Sequence, residues 1–268
     1  MAFIGRSLSI WLVAAALVAC SSGAGKEHAS VQPSVVPSEG EKAGLVYVAL
    51  GDSWPEGAHC DGCRTFPQLH ADALEQSLGR PITLKELAGQ AQPFFDSLGG
   101  GSASLLEAIR ADDAFRDEVA TGDIIVIATG PNDGGEVFEG IQDGTCGGKD
   151  DTACVDELAR TWEREFDAIL DEIATLREEQ PTAIRVVNAA NAFMDPSSSP
   201  ETARGFAAFF EALTQALCNN AEAHDALCVD VRPVLNGPDF EQPVNDSSQE
   251  AMDAVAELLV KSGVPELE

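Results

Sequence analysis

The sequence predicts an α/β fold: a doubly wound, five-stranded parallel sheet flanked by helices, in a single domain. Two observations indicate this class. Runs of apolar and β-branched residues, too short for helices, alternate with longer segments of helical periodicity. Turn-forming residues, above all Gly, Asp, Asn and Pro, separate these segments. Strands joined by helices form a parallel sheet with right-handed crossovers, and active residues gather at the carboxyl ends of its strands.

The first strand is the one around which the chain is organised. Leu45 to Leu50 has the composition of a buried strand and stops abruptly at Gly51-Asp52-Ser53. A serine just past the end of a strand is placed to act as a nucleophile, although Gly-Asp-Ser-x-Pro is also a common turn sequence. Strands are predicted at residues 45–50, 82–87, 124–128, 183–189 and 226–231, and helices at residues 66–78, 102–120, 155–179, 203–223 and 247–261.

The amino-terminal segment predicts export. Residues 1–19 have the features of a secretory signal peptide: Arg6, a short apolar core and small residues before a cleavage point. Cys20, directly after Leu-Val-Ala, resembles the lipidated cysteine of a bacterial lipobox. Residues 20–43 then form a lipid-anchored flexible tether, because they hold too few large apolar side chains to fold. We expect residues 44–268 to fold as one domain on the extracytoplasmic side of a membrane of the bacterial cell envelope.

The cysteines other than Cys20 predict disulfides. They are even in number, which in an exported protein favours three bridges. Local pairing, one of several possible connectivities, joins Cys60 to Cys63, Cys146 to Cys154 and Cys218 to Cys228. The open alternative is a redox-active pair in Cys60-Asp-Gly-Cys63, which would make the protein a thiol oxidoreductase if the motif opened a helix. Nothing accompanies the motif that would complete a metal site.

The charge balance limits the partners. The chain has 16 basic and 45 acidic residues and a net charge of −29. Such a surface repels nucleic acid and anionic lipid headgroups, so nucleic acid is excluded as a partner. It is typical of a soluble surface and does not by itself indicate a binding site.

Two segments together resemble the SGNH/GDSL hydrolase superfamily. Gly51-Asp52-Ser53 with Gly57 is similar to its first sequence block, and Gly130-Pro131-Asn132-Asp133 is similar to its third. The resemblance spans about Leu45 to Gly263. It implies a flavodoxin-like fold and an esterase or lipase that forms an acyl-Ser53 intermediate without cofactor or metal. The implied substrate is an ester-containing small molecule, lipid or glycan.

The resemblance also implies which groups stabilise the oxyanion. These are the Ser53 N–H, the Asn132 side-chain amide and a backbone N–H of the second block, each worth on the order of 3 kcal/mol in the transition state. The second block is irregular here, so the third donor is the N–H of either Gly89 or Ala91. The alternative role of Asn132 is that of a turn cap.

The fourth block departs from the family. The family has Asp-x-x-His before its last helix, with the histidine as general base. An ungapped register puts Asp246 at the histidine position and Pro243 at the aspartate position. A gapped register gives Asp239 with Gln242 in place of the histidine. An aspartate with an ordinary pKa of about 4 is a weak base for a serine hydroxyl.

One of the four histidines is placed to act as the general base instead of the missing fourth-block histidine. His59 follows Ser53 closely on the same predicted edge, although it also has the features of an ordinary exposed loop residue. His224 precedes the fifth strand and is expected at the opposite edge. His70 lies inside the first helix, and His28 lies in the tether.

The leading hypothesis is a membrane-anchored, extracytoplasmic serine ester hydrolase whose turnover is weakened by the missing histidine. The alternative is a catalytically silent surface lipoprotein of the same fold. Such a protein would bind an acyl, glycan or protein ligand.

Overall fold

The computed structural model describes residues 43–58, 60–90, 100–148, 150–178, 180–193, 197–238 and 245–267. The predicted signal peptide, and the predicted tether with Cys20 as far as residue 42, lie outside these residues. None of the described helices is long and apolar enough to cross a membrane.

A five-stranded, all-parallel sheet forms the centre of the domain, which confirms the predicted fold class. The strands lie in the order β2-β1-β3-β4-β5. The chain therefore moves to one side of β1 and then returns to build β3 on the other, so the topological switch point lies between β1 and β3. The strands are β1 (Leu45–Gly51), β2 (Ile82–Glu86), β3 (Ile124–Ala128), β4 (Ala183–Val187) and β5 (Leu227–Val229).

Helices cover both faces of the sheet. In the described part of the chain they are α1 (Ser53–Glu56), α2 (Phe66–Leu78), α3 (Ser102–Ala111), α4 (Asp113–Ala120), α5 (Gly135–Asp143), α6 (Ala153–Arg177), α7 (Pro200–Ala223), α8 (Arg232–Leu235) and α9 (Gln249–Ser262). Two 3-10 turns, Pro131–Gly134 and Pro265–Leu267, complete the elements. One face of the sheet packs against α2 and α9, and the other packs against α3 to α7.

The two cores follow from the alternation of side chains along each strand. In β1, Val48 and Leu50 belong to the core beneath α3 to α7, whereas Tyr47 and Ala49 belong to the core beneath α2 and α9. Successive strand residues point to opposite faces, so an interior strand must be apolar at every position. This is why the sequence shows continuous apolar runs in β1 and β3.

The segment predicted as one helix over residues 102–120 forms two helices. Asp112 has an extended backbone, with φ −105° and ψ 105°, and its carboxylate accepts the N–H groups of Ala114 and Phe115 at 2.9 and 3.1 Å. A side chain that caps a new helix competes with continuation of the old one. The long loop predicted after β3 also contains a helix, α5, and β4 and β5 are shorter than predicted.

Six cysteines form three local disulfides, as predicted: Cys60–Cys63, Cys146–Cys154 and Cys218–Cys228. The thiol-oxidoreductase alternative needs a cysteine in the first turn of a helix. Instead, α2 begins at Phe66 and is capped by Thr65, whose hydroxyl accepts the Gln68 N–H. The Cys60–Cys63 bridge precedes this helix, so the structure gives that alternative no support.

Candidate active site

The end of β1 lies directly against the end of β3. Gly51 has φ +140°, and a Cβ on it would lie 2.0 Å from the carbonyl oxygen of Ala128. Only glycine fits there. The Asp52 N–H donates to the same carbonyl oxygen at 3.2 Å, and the Asp52 carboxylate accepts the Trp54 N–H at 3.0 Å. The chain therefore turns sharply, and Ser53 becomes the first residue of α1 at this edge of the sheet.

A cavity of about 250 Å³ opens at the same edge and brings together Ser53, Asn132 and Asp246. These three candidates come from the ends of β1 and β3 and from the segment before α9. The other polar groups of the lining are Asp52, Thr129, Asn188 and Ser247, and its larger apolar side chains are Trp54, Phe138, Val187, Phe193, Phe210 and Met252. A largely apolar cavity with a few polar groups is typical of a site for a small ligand.

Asn132 lies in the Pro131–Gly134 turn that follows β3. Its side-chain amide donates to the carbonyl oxygen of Gly100 at 3.4 Å. That distance is long for a hydrogen bond between an amide N–H and a carbonyl oxygen, so this contact is weak. The amide remains available to a stronger acceptor, such as a developing oxyanion in the cavity.

The backbone N–H of Gly89, one of the two candidate second-block donors, already has a partner in this structure. This N–H donates to the carbonyl oxygen of Gly51 at 3.1 Å, and the Leu87 N–H donates to that of Ala49 at 2.9 Å. The two bonds continue the parallel pairing of β1 with the segment after β2, so the Gly89 N–H is already used. The assignment of the oxyanion donor to Gly89 stays a prediction, and this bond would have to give way when the oxyanion forms. The other register assigns the donor to Ala91, which lies outside the described residues.

Asp246 is the fourth-block residue that the structure places at the cavity. Its carbonyl oxygen accepts the Trp54 indole N–H at 3.0 Å, and its carboxylate accepts the Ser247 hydroxyl at 3.1 Å. The indole contact joins this segment to α1, the helix that carries Ser53. Asp239 and His59, the other two candidate bases, lie outside the described residues.

No histidine is found among the described residues that line the cavity. His70 is fully buried in the core beneath α2, where its Nδ1 is 3.0 Å from the Tyr47 hydroxyl. His224 follows α7, and its Nε2 is 2.9 Å from Asp167. Nor does any cluster of three or more His, Cys, Asp or Glu side chains in the described segments form a potential metal site.

Asp52 has an unusual electrostatic environment. Burial raises its pKa to about 7; the hydrogen bond from the Trp54 N–H opposes this, and the charges of Asp133 and Asp246 add to it. Asp52 therefore exchanges its proton near neutral pH while lining the same cavity as Ser53. Sequence reasoning missed this because it assigned aspartates an ordinary pKa.

A polar network lies behind the Asn132 turn. One oxygen of Asp133 accepts the Ser102 N–H at 2.9 Å, the Ser102 hydroxyl at 2.6 Å and the Trp162 indole N–H at 3.0 Å. The Ser102 hydroxyl also contacts the Glu165 carboxyl group. No sequence signal identified this network, because Ser102, Asp133 and the α6 residues lie far apart in the chain and on different elements.

Comparison with known proteins agrees with this geometry. The sequence profile of the GDSL-like Lipase/Acylhydrolase family matches residues 49–250, which is most of the chain and includes Ser53, Asn132 and Asp246. The chain belongs to this family. Membership supports a hydrolase of ester substrates. No curated protein sequence matches the chain.

Solved structures share the fold of this GDSL-family protein. The lipase Lip_vut3 from a goat rumen metagenome is 22% identical, with a TM-score of 0.63, covering 84% of this chain and 100% of that one. An extracellular lipase from Streptomyces rimosus is 14% identical, with a TM-score of 0.56 and coverages of 81% and 99%. Phospholipase A1 from Streptomyces albidoflavus NA297 is 12% identical, with a TM-score of 0.54 and coverages of 82% and 99%. At these identities the comparison shows the fold alone.

We expect Gly51→Ala to lower the free energy of unfolding of this GDSL-family protein by roughly 3 kcal/mol or more, because the new Cβ must displace the Ala128 carbonyl. Gly62→Ala is the matched control: Gly62 also has positive φ, +76°, but no atom lies within 4 Å of its added Cβ. We expect the control to cost about 1 kcal/mol. Urea unfolding measures both. Equal losses would show that the contact between β1 and β3 does not require glycine.

Proposed function

We propose that the protein is a serine ester hydrolase that cleaves carboxylic esters through an acyl-Ser53 intermediate. The observation that carries the proposal is the meeting of Ser53, Asn132 and Asp246 in one cavity of a GDSL-family fold. Ser53 and Asn132 match the first and third blocks of the family, and Asp246 stands at the histidine position of the fourth block in the ungapped register. The largely apolar lining suits the acyl part of an ester better than a charged substrate.

The proposed reaction begins when the Ser53 hydroxyl attacks the ester carbonyl. The oxyanion that forms accepts hydrogen bonds from the Ser53 N–H and from the Asn132 amide, whose present bond to Gly100 is long. Asp246 takes the serine proton and returns it to the departing alkoxide. Water then cleaves the acyl-serine and regenerates the hydroxyl. A carboxylate is a weaker base than an imidazole, so we expect slow turnover.

The missing histidine favours a second candidate function. A protein of this fold that binds an acyl, glycan or protein ligand without cleaving it needs the cavity but no general base. The absence of histidine from the described part of the cavity lining supports this alternative. Variants of the cavity residues distinguish the two functions.

We expect Ser53→Ala to abolish hydrolysis of p-nitrophenyl butyrate. The rate should fall about a thousandfold or more, or to the rate of spontaneous hydrolysis of the ester. Asn132→Ala should lower kcat about a hundredfold with little change in KM, because its amide acts on the transition state. Asp246→Asn should lower kcat by about a hundredfold through loss of the base. Steady-state kinetics measure all three.

Glu250→Gln is the matched control for Asp246→Asn, since Glu250 is an exposed carboxylate at the start of α9. The control should retain wild-type rates. If wild type does not exceed Ser53→Ala across several acyl lengths, the hydrolase proposal fails and the binding protein becomes the better account. If Asp246→Asn alone is fully active, the base is another group.

We further propose that the protein is exported and anchored through lipidated Cys20. The support is the sequence of residues 1–43, with its short apolar core, Leu-Val-Ala-Cys20 and a polar tether. We expect wild type in the membrane fraction and Cys20→Ser in the soluble extracytoplasmic fraction, measured by immunoblotting after cell fractionation. Wild type that is soluble, or a Cys20→Ser variant that stays on the membrane, would contradict the anchor.

A further inference from the structure

Two carboxyl groups meet one hydroxyl behind the Asn132 turn. The Ser102 hydroxyl lies 2.6 Å from an oxygen of Asp133, and it also contacts an oxygen of Glu165 on α6. Asp133 follows Asn132 directly in the chain. Glu165 is half-buried and does not line the cavity that contains Ser53. The mechanism proposed above gives it no role.

The hydrogen count determines which groups carry protons. A serine hydroxyl has one proton to donate. The same Asp133 oxygen also accepts the N–H groups of Ser102 and of the Trp162 indole, which are fixed donors that need an acceptor. Asp133 is therefore the ionised carboxylate and accepts the hydrogen bond from the Ser102 hydroxyl. Glu165 can then contact the hydroxyl oxygen favourably only by donating a proton of its own.

The electrostatic environment agrees with this assignment. Burial raises the pKa of Glu165, and the Asp133 charge raises it further, whereas the Ser102 hydrogen bond and the Arg164 charge lower it. Burial also raises the pKa of Asp133, but hydrogen bonds from Ser102, Trp162 and the Ala103 N–H all oppose that shift. Because the fixed N–H donors point at Asp133, Asp133 carries the negative charge and Glu165 carries the proton.

The network is coupled to the oxyanion donor through the two ends of one short segment. Asn132 donates to the carbonyl oxygen of Gly100, and Asp133 binds the N–H and the hydroxyl of Ser102. Between them, a Cβ on Gly101 would lie 1.8 Å from Asp133, so the turn and this segment are in direct contact. The position of Asn132 thus depends on the contact between Asp133 and Ser102.

We propose that Glu165 is a positioning residue for the reaction. Its protonated carboxyl group holds Asn132 in place by donating a hydrogen bond to the Ser102 hydroxyl, which in turn donates one to Asp133. The proposal rests on the proposed hydrolase function. In this arrangement a carboxylic acid, a hydroxyl and a carboxylate form one chain of hydrogen bonds. The chain ends at the turn that carries the oxyanion donor.

The arrangement makes the site sensitive to alkaline pH. When Glu165 ionises, two negative carboxylates face one hydroxyl that can satisfy only one of them. Among the described residues, the charged groups that act on Glu165 are Asp133 on the turn and Arg164 on its own helix. Repulsion then displaces the Asp133 turn and with it the Asn132 amide. Because that amide acts on the transition state, kcat falls and KM does not.

The test compares pH profiles of kcat and KM between pH 5 and 9 for wild type, Glu165→Gln, Glu165→Ala and the control Glu163→Gln. Glu163 is an exposed carboxylate on the same helix. Glu165→Gln keeps a donor at every pH, so it should stay within about threefold of wild type near pH 6 and lose the alkaline fall. Glu165→Ala should lower kcat about tenfold at all pH values. Glu163→Gln should retain the wild-type profile.

Thermal unfolding of the same proteins in a Ser53→Ala background supplies a second readout that needs no catalysis. The pKa of Glu165 is raised in the folded state, so its stabilising contribution is fully present below its unfolded pKa and is lost as pH rises through the folded pKa. The Tm advantage of Glu165→Gln over its Glu165-containing parent should therefore grow with pH. Glu163→Gln should show no such growth.

Each outcome decides the proposal. An alkaline fall in kcat that persists unchanged in Glu165→Gln overturns it, and so does a Tm difference between Glu165→Gln and its parent that is independent of pH. If no variant, including wild type, hydrolyses esters, the proposed function fails and the unfolding series still decides whether Glu165 holds the proton. If Glu165→Ala does not fold, Glu165→Gln carries the comparison.

Discussion

The close contact between the ends of β1 and β3 is the constraint on which the site depends. Gly51 lies against the Ala128 carbonyl, which also accepts the Asp52 N–H. This contact lies at the topological switch point of the sheet, where the chain leaves β1 for one side and β3 begins the other. It places Ser53 and the Asn132 turn at one edge, although they lie far apart in the sequence. The cavity and the proposed roles of Ser53 and Asn132 depend on it.

Much of the fold could be predicted because interior parallel strands demand apolar residues on both faces. The continuous apolar runs of β1 and β3 would leave apolar side chains in water if only one face of each strand were covered, so they predict interior strands. Thr65 and Gly79 mark the two ends of α2. The break in the helix at Asp112 was not predicted, because an aspartate inside a helical pattern can either face solvent or cap a new helix. That choice depends on how α3 and α4 pack against the sheet, which a local sequence pattern does not contain.

The grouping of candidate residues at one edge could be predicted where a residue lies beside the end of an element. Ser53 and Asn132 follow β1 and β3, and Asp246 lies shortly before α9. Their roles in a reaction stay predictions. The bond from the Gly89 N–H to Gly51, which continues the hydrogen bonding beside β1, could not be predicted because this pairing appears only in three dimensions. The contacts of Asp133 with Ser102 and Glu165 were missed for a similar reason, since they join residues on separate elements. The raised pKa of Asp52 likewise results from burial, which its position in the chain did not show.

The most direct test of the central claim is to identify the residue that a fluorophosphonate probe modifies in the wild-type protein. Peptide mass spectrometry after labelling should find one adduct, on Ser53, because this is the hydroxyl that the turn after Gly51 places in the cavity beside Asn132. An adduct on another serine would contradict the account. So would ester hydrolysis that proceeds while Ser53 remains unlabelled, because the nucleophile would then lie elsewhere.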